Sequence, residues 1–312
     1  MIGPCHGARS GASVHVMTAS EQHAPDAPPA WLDLDEYPFA AHWFDAPDGR
    51  IHYVDEGDGP AIVFLHGNPT WSFQFRHVIK DLRGSRRCIA PDQLGFGLSD
   101  KPTSYSYLPV DQARNVAAFL DSLDLSDATL VVGDWGGPVG LSWALDHPDR
   151  VSCLVITNTW MWSVRDDWYY RAFSGFMGGP VGRTLIRHRN FFAGSFLRRA
   201  YGDRSKLTPA IHRHYLEALA TPDDRTGSAT YPREIIGSSD WLQSLWDRRS
   251  ALSGMRVLIA WGMSDIAFRE KELERWESLF PDRTTVRYEG CGHFVAEERP
   301  HELAEQIADL TA

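Results

Sequence analysis

Long apolar runs are missing from this chain. No stretch approaches the roughly 20 consecutive apolar residues that a membrane-spanning helix needs, so no membrane partner is expected. Cysteine is scarce. Cys5, Cys88, Cys153 and Cys291 lie far apart, with no CxxC pair and no His cluster at metal spacing. That scatter excludes a disulfide framework and a structural zinc site, and fits reduced thiols in the cytoplasm. Cys88 and Cys153 fall in strand-like runs and read as small buried fillers. Positive charge is also short: 31 Lys and Arg against 41 Asp and Glu leave a formal net charge of −10. That balance favours solubility and argues against a general nucleic-acid binder. Residues 1–30 are rich in Ala, Ser, Gly, Pro and His. They lack the basic start and apolar stretch of a secretory signal, and read as a flexible tail, with Met17 as a second candidate start.

What is present is enough for a large core: 312 residues, 43% of them hydrophobic and 12% aromatic. Short β-branched runs alternate with amphipathic stretches. Ile51–Asp55, Ala61–Leu65, Arg87–Pro91, Thr129–Gly133, Cys153–Thr157, Arg256–Ala260 and Thr285–Glu289 read as strands. Several are apolar throughout (AIVFL, TLVVG, CLVIT, RVLIA), as expected of parallel strands covered on both faces. Ser72–Leu82, Val110–Leu123, Pro138–His147, Arg269–Phe280 and His301–Leu310 read as helices. Such alternation implies an α/β fold with a mostly parallel central sheet flanked by helices. It breaks between about Trp160 and Gly237, a stretch rich in aromatics and Arg with no strand run. We expect a helical lid at 159–237, inserted between two core segments, 31–158 and 238–312. The excess of Lys and Arg in the insertion reads as a solvated face.

Four local signals carry chemistry. In Val131-Val132-Gly133-Asp134-Trp135-Gly136-Gly137-Pro138 an apolar strand runs into small residues and then a helix. This is the setting of a nucleophile elbow, a tight turn that lifts one side chain above the sheet. The lifted residue is Asp134, for which the plainer alternative is a helix N-cap. Phe64-Leu65-His66-Gly67-Asn68-Pro69 follows a strand where such folds place a second oxyanion-hole loop, though Asn-Pro alone is also a plain turn. The backbone N–H groups of Asn68 and Trp135 would together hold an oxyanion. Gly290-Cys291-Gly292-His293 puts a histidine in a Gly-flanked loop after the last strand, where a base could reach the elbow; any one of 13 histidines is otherwise a weak candidate. Asp265 follows a strand and is placed to orient His293, or to cap the next helix. The chain order Asp134, Asp265, His293 is nucleophile, acid, base, the order of α/β-hydrolases.

From about Phe39 onward the sequence resembles the haloalkane dehalogenases. The resemblance rests on His-Tyr-Val-Asp-Glu-Gly at 52–57, His-Gly-Asn-Pro-Thr-Trp-Ser at 66–72, Pro-Asp-Gln-Leu-Gly-Phe-Gly-Leu-Ser-Asp-Lys-Pro at 91–102, Gly-Asp-Trp-Gly-Gly at 133–137 and Tyr231-Pro232-Arg233-Glu234. It implies an α/β-hydrolase fold, Asp134 as nucleophile, His293 as base and Asp265 as supporting acid. The Trp135 indole and the Asn68 side-chain amide would bind the leaving halide. A halogenated hydrocarbon would be the substrate, with no metal or organic cofactor. One subgroup places its acid, a Glu, after the strand that follows the elbow helix. The matching stretch here, Val155 to Trp160, has Asn158 and no carboxylate, so the resemblance is to the subgroup with an Asp–His–Asp triad and an Asn–Trp halide pair. Another subgroup uses a lid tryptophan as a halide ligand. Trp160, Trp162 and Trp168 leave that open, although lid packing is their plainer role.

Two rivals remain at this level. An epoxide hydrolase would share all three triad residues and would need two lid tyrosines, for which Tyr169, Tyr170, Tyr201, Tyr215 and Tyr231 are available. A non-catalytic α/β-hydrolase serving as a ligand receptor is the other. The aromatic insertion also leaves self-association as a homo-oligomer open.

Overall fold

In the computed structural model, residues 27–312 are described. Most of the expected N-terminal tail, with Cys5 and Met17, lies outside them. The strands are β1 (His42–Ala46), β2 (Gly49–Glu56), β3 (Ala61–Leu65), β4 (Arg87–Pro91), β5 (Ala128–Asp134), β6 (Val151–Thr159), β7 (Arg256–Gly262) and β8 (Thr284–Tyr288). The helices are α1 (Arg76–Leu82), α2 (Pro109–Ser122), α3 (Gly136–Asp146), α4 (Trp168–Met177), α5 (Pro180–Arg189), α6 (Leu197–Ala200), α7 (Pro209–Glu217), α8 (Thr226–Gly237), α9 (Ser239–Asp247), α10 (Glu270–Leu279), α11 (Val295–Glu298) and α12 (Pro300–Leu310).

One eight-stranded sheet runs in the order β1-β2-β4-β3-β5-β6-β7-β8. β2 pairs antiparallel with both β1 and β4, and every other pairing is parallel. β1 is the strand that periodicity misses. Its HWFDA sequence is half-buried at the sheet edge, and it is held by a hairpin that closes on Ala46 and Gly49.

The apolar runs explain the layering. Successive side chains of a strand point to opposite faces. Val63, Leu65, Leu130, Val132 and Ile156 enter one core with α2, α3 and α10. Ile62, Phe64, Val131, Val155 and Leu258 enter the other with α1 and α12. Both faces are covered, so these strands need no polar alternation. Between β6 and β7 the chain runs through α4 to α9 with no strand among the described residues. Helices α4, α5 and α8 pack on one another there. A π-helical turn at Phe192–Phe196 interrupts this stretch. No helix among the described residues is long and apolar enough to cross a membrane.

Candidate active site

The ladder between β5 and β6 slips between Gly133 and Asp134. At that slip Asp134 takes a φ of 46°, the left-handed region, which costs a non-glycine residue about 1–3 kcal/mol. Its surroundings impose the conformation. The Thr159 hydroxyl donates to the Asp134 carbonyl at 2.5 Å. Gly136 lies against the Leu65 carbonyl so closely that a Cβ there would collide with it, and a Cβ on Gly67 would strike the Asp134 carboxylate itself. Two sheet ends therefore close on Asp134 only because glycine stands at both approaches.

The expected constellation comes together. The Asn68 backbone N–H donates to Asp134 Oδ1 at 2.7 Å, and the Trp135 N–H also reaches the carboxylate. His293 Nε2 lies 3.7 Å from Asp134 Oδ2. The other ring nitrogen, Nδ1, is 2.8 Å from Asp265 Oδ2. Asp265 is fixed in turn by the Ala267 N–H at 2.6 Å and by Asn158 Nδ2 at 2.8 Å. Asn158 is locked onto the end of β7, donating to the Gly262 carbonyl and accepting its N–H. The position that lacks a carboxylate thus sits beside the acid and orients it.

Electrostatics follow from this crowding. Burial disfavours a charged His293, but the charge and hydrogen bond of Asp265, with Asp134 beyond, outweigh it and push the imidazole up to about 9. Burial raises Asp134 above the ordinary carboxylate range, and His293 and the two backbone N–H groups offset only part of that. An aspartate facing an imidazolium across 3.7 Å is a poised ion pair.

Some contacts around His293 have no local sequence signal. Phe268 stacks on the His293 ring at 5.7 Å, and Phe294 meets it edge-on at 4.8 Å. Glu298, buried, accepts the backbone N–H groups of Gly292, Gly202 and Asp203, tying the histidine loop to the segment after α6. In sequence it looks like an ordinary acid near a helix start.

Above Asp134 opens a cavity of about 140 Å³. Asp134, Asn68, Trp135 and His293 form its floor; Trp160, Tyr169, Tyr170, Phe173, Phe192, Phe196, Pro232 and Ile235 form most of its walls. Trp135 is held between Trp160, 4.7 Å away, and Tyr231, 4.9 Å away. Of the other two tryptophans in question, Trp162 packs against Trp246 and Trp276, and Trp168 is exposed. Of the five candidate tyrosines, Tyr201 has a buried hydroxyl with no partner among the described residues but does not line the cavity. The other hydroxyls are engaged elsewhere: Tyr169 donates to the Ile266 carbonyl, Tyr170 to that of Ala267 and Tyr231 to Gln93. Tyr215 is bound to Glu297. Among the described residues, no group of three or more His, Cys, Asp or Glu side chains is placed to hold a metal ion.

Residues 60–300 match the alpha/beta hydrolase fold family. The haloalkane dehalogenase 2 of Mycobacterium tuberculosis is 39% identical over 279 residues, which span 89% of this chain and 96% of that protein. The cis-3-alkyl-4-alkyloxetan-2-one decarboxylase of Shewanella oneidensis is 30% identical, over 86% of this chain and 87% of that protein. Among solved structures, the haloalkane dehalogenase DatA of Agrobacterium tumefaciens C58 superposes with a TM-score of 0.75 at 29% identity, covering 87% of this chain and 96% of that one. The haloalkane dehalogenase DbeA of Bradyrhizobium elkani USDA94 does so with a TM-score of 0.78 at 25% identity, covering 88% and 99%. With an elbow aspartate, a late Asp–His pair and these relatives along nearly its whole folded length, the chain belongs to the haloalkane dehalogenase family of the α/β-hydrolase fold.

Proposed function

We propose that this protein hydrolyses short haloalkanes to an alcohol, a halide ion and a proton, through an alkyl-enzyme ester on Asp134. The observation that carries the reading is one cavity floor holding a carboxylate, an indole and a carboxamide under aromatic walls. An ionised Asp134 needs no base to attack. Oδ1 stays with the Asn68 N–H while Oδ2, facing His293, attacks the halogen-bearing carbon. The leaving halide is an anion in an apolar pocket and needs donors. Trp135 Nε1 and Asn68 Nδ2 are neutral donors, which hold a halide without trapping it.

Esterification then removes the charge on Asp134. One of the influences raising His293 disappears with it, so the imidazole sheds its proton more readily and serves as the base for the hydrolytic water. Asp265 stabilises the imidazolium that returns. The backbone N–H groups of Asn68 and Trp135 hold the oxyanion of the tetrahedral intermediate. Residues 159–237 act as the lid over this floor, and the buried free thiols Cys88, Cys153 and Cys291 suit a cytoplasmic setting.

The cavity volume points to substrate size. About 140 Å³ is close to the ~150 Å³ of an apolar cavity that takes benzene. Short bromoalkanes about the size of benzene fit that space. Epoxide opening is disfavoured because Tyr169 and Tyr170, the two tyrosines on the cavity wall, already donate their protons to backbone carbonyls. The test is a panel of such bromoalkanes, styrene oxide and a cis-3-alkyl-4-alkyloxetan-2-one, with halide, diol and CO₂ measured in parallel. Halide release is the expected result. Diol or CO₂ formation without halide release from any bromoalkane would overturn the reading.

A further inference from the structure

An asparagine amide has an acceptor at one end and a donor at the other, in nearly the same space. Turned one way, Asn68 offers Nδ2 to a halide; turned the other way, Oδ1 repels it. Ser228, buried in α8, meets both ends. Its hydroxyl donates to Asn68 Oδ1 at 2.7 Å, and its carbonyl accepts from Nδ2 at 3.5 Å.

That carbonyl is free for a reason written four residues further on. Inside a helix the carbonyl of residue 228 would accept the N–H of residue 232. Residue 232 is Pro232, within α8, and has no N–H to give. The vacated acceptor faces Asn68. Both contacts select one orientation, because a flipped amide would set Oδ1 against the Ser228 carbonyl, two acceptors with no proton between them.

We infer that Ser228 is a positioning residue for halide binding: with Pro232 freeing its carbonyl, it holds the Asn68 amide with a remaining Nδ2 proton toward the leaving halide. The inference rests on Asn68 being a halide donor in the proposed reaction. It assigns a function to a lid residue that touches neither the nucleophile nor the base.

The test is saturable bromide quenching of tryptophan fluorescence on the full chain, with kcat and KM for a bromoalkane alongside. Loss of one orienting hydrogen bond in Ser228→Ala should raise the bromide Kd about three- to tenfold. Ser228→Thr, which keeps the hydroxyl, should restore the Kd to near that of the parent. In an Asn68→Ala background Ser228→Ala should change nothing further, since the group it orients is gone. Alanine suits a helix interior, so folding is not the obstacle. If Asn68→Ala weakens bromide binding but Ser228→Ala does not, the positioning role is wrong while the halide reading stands. Additive losses in the double variant also overturn the positioning role. If Asn68→Ala leaves bromide affinity unchanged, the halide reading of Asn68 fails first and takes this inference with it.

Discussion

The floor and the walls of the cavity are built by different rules. On the floor, polar atoms have named partners: Asp134 Oδ1 with Asn68, Asp265 with His293, Asn158 and Ala267, Asn158 with Gly262. Those partners come from sheet ends whose positions are set by hydrogen-bonded ladders and by glycines that admit no side chain. On the walls, Phe173, Phe192 and Phe196 meet ring to ring, at 5.2–6.4 Å, with no polar group fixing them. The floor is thus specified by geometry and intolerant of change. The phenylalanine part of the walls is specified by volume, and volume can be exchanged between side chains at modest cost. Chemistry should fail with the floor, and substrate preference should shift with the walls.

In the proposed reaction the largest effects belong to Asp134 and His293. Asp134→Asn should reduce halide release to background. His293→Phe should leave the first half-reaction intact, giving one halide per active site and a persistent mass increase equal to the alkyl group. Absence of that adduct with a substrate the parent turns over would refute the covalent scheme. Next come the groups that orient the base. Asp265→Asn should lower kcat by about 10²- to 10⁴-fold, and Asn158→Ala by about tenfold, both read in the ester-hydrolysis phase. If the two variants behaved alike, Asn158 would be more than an orienting group.

The wall variants should behave otherwise. Phe192→Ala removes a ring that is 3% exposed, so it should cost about 3–5 kcal/mol of stability. It should also shift kcat/KM toward longer haloalkanes by about tenfold relative to short ones. The rate of ester hydrolysis should hardly move; a large drop would mean that the wall helps to set the base.

The smallest effect is on stability against pH. The folded His293 binds its proton up to about 9, above the ordinary value of 6.5. Between those values the unfolded chain loses the proton first, so stability must fall as pH rises. The contribution is fully present below about 6.5 and gone above about 9. The melting temperature of the parent should therefore drop more across that window than that of His293→Phe. Equal slopes would show that the His293 ion pairs contribute no pH dependence.

Much of this was legible in one dimension, and the exceptions share a cause. AIVFL, TLVVG and CLVIT announce buried strands because a strand covered on both faces needs apolar residues at every position. HWFDA does not, because it is only half-buried and its pairing depends on the hairpin with β2. The elbow could be read because strand, small residues and helix are consecutive. The π-helical turn at Phe192–Phe196 could not, since its residues look like any aromatic run. Glu298 was equally silent: its partners Gly202 and Asp203 lie far away along the chain.

By itself, then, the sequence determined the layered α/β architecture and the placing of Asp134, Asp265 and His293 at or just after the ends of β5, β7 and β8. Local runs and turns specify both without reference to distant residues. Only the tertiary structure decided that Asn158 meets Asp265 across 107 residues and that Ser228 meets Asn68 across 160. It alone decided that the space left over is about 140 Å³. Those outcomes depend on how side-chain volumes fill the gap between sheet and insertion, and close packing is a property of the whole chain that no local pattern encodes.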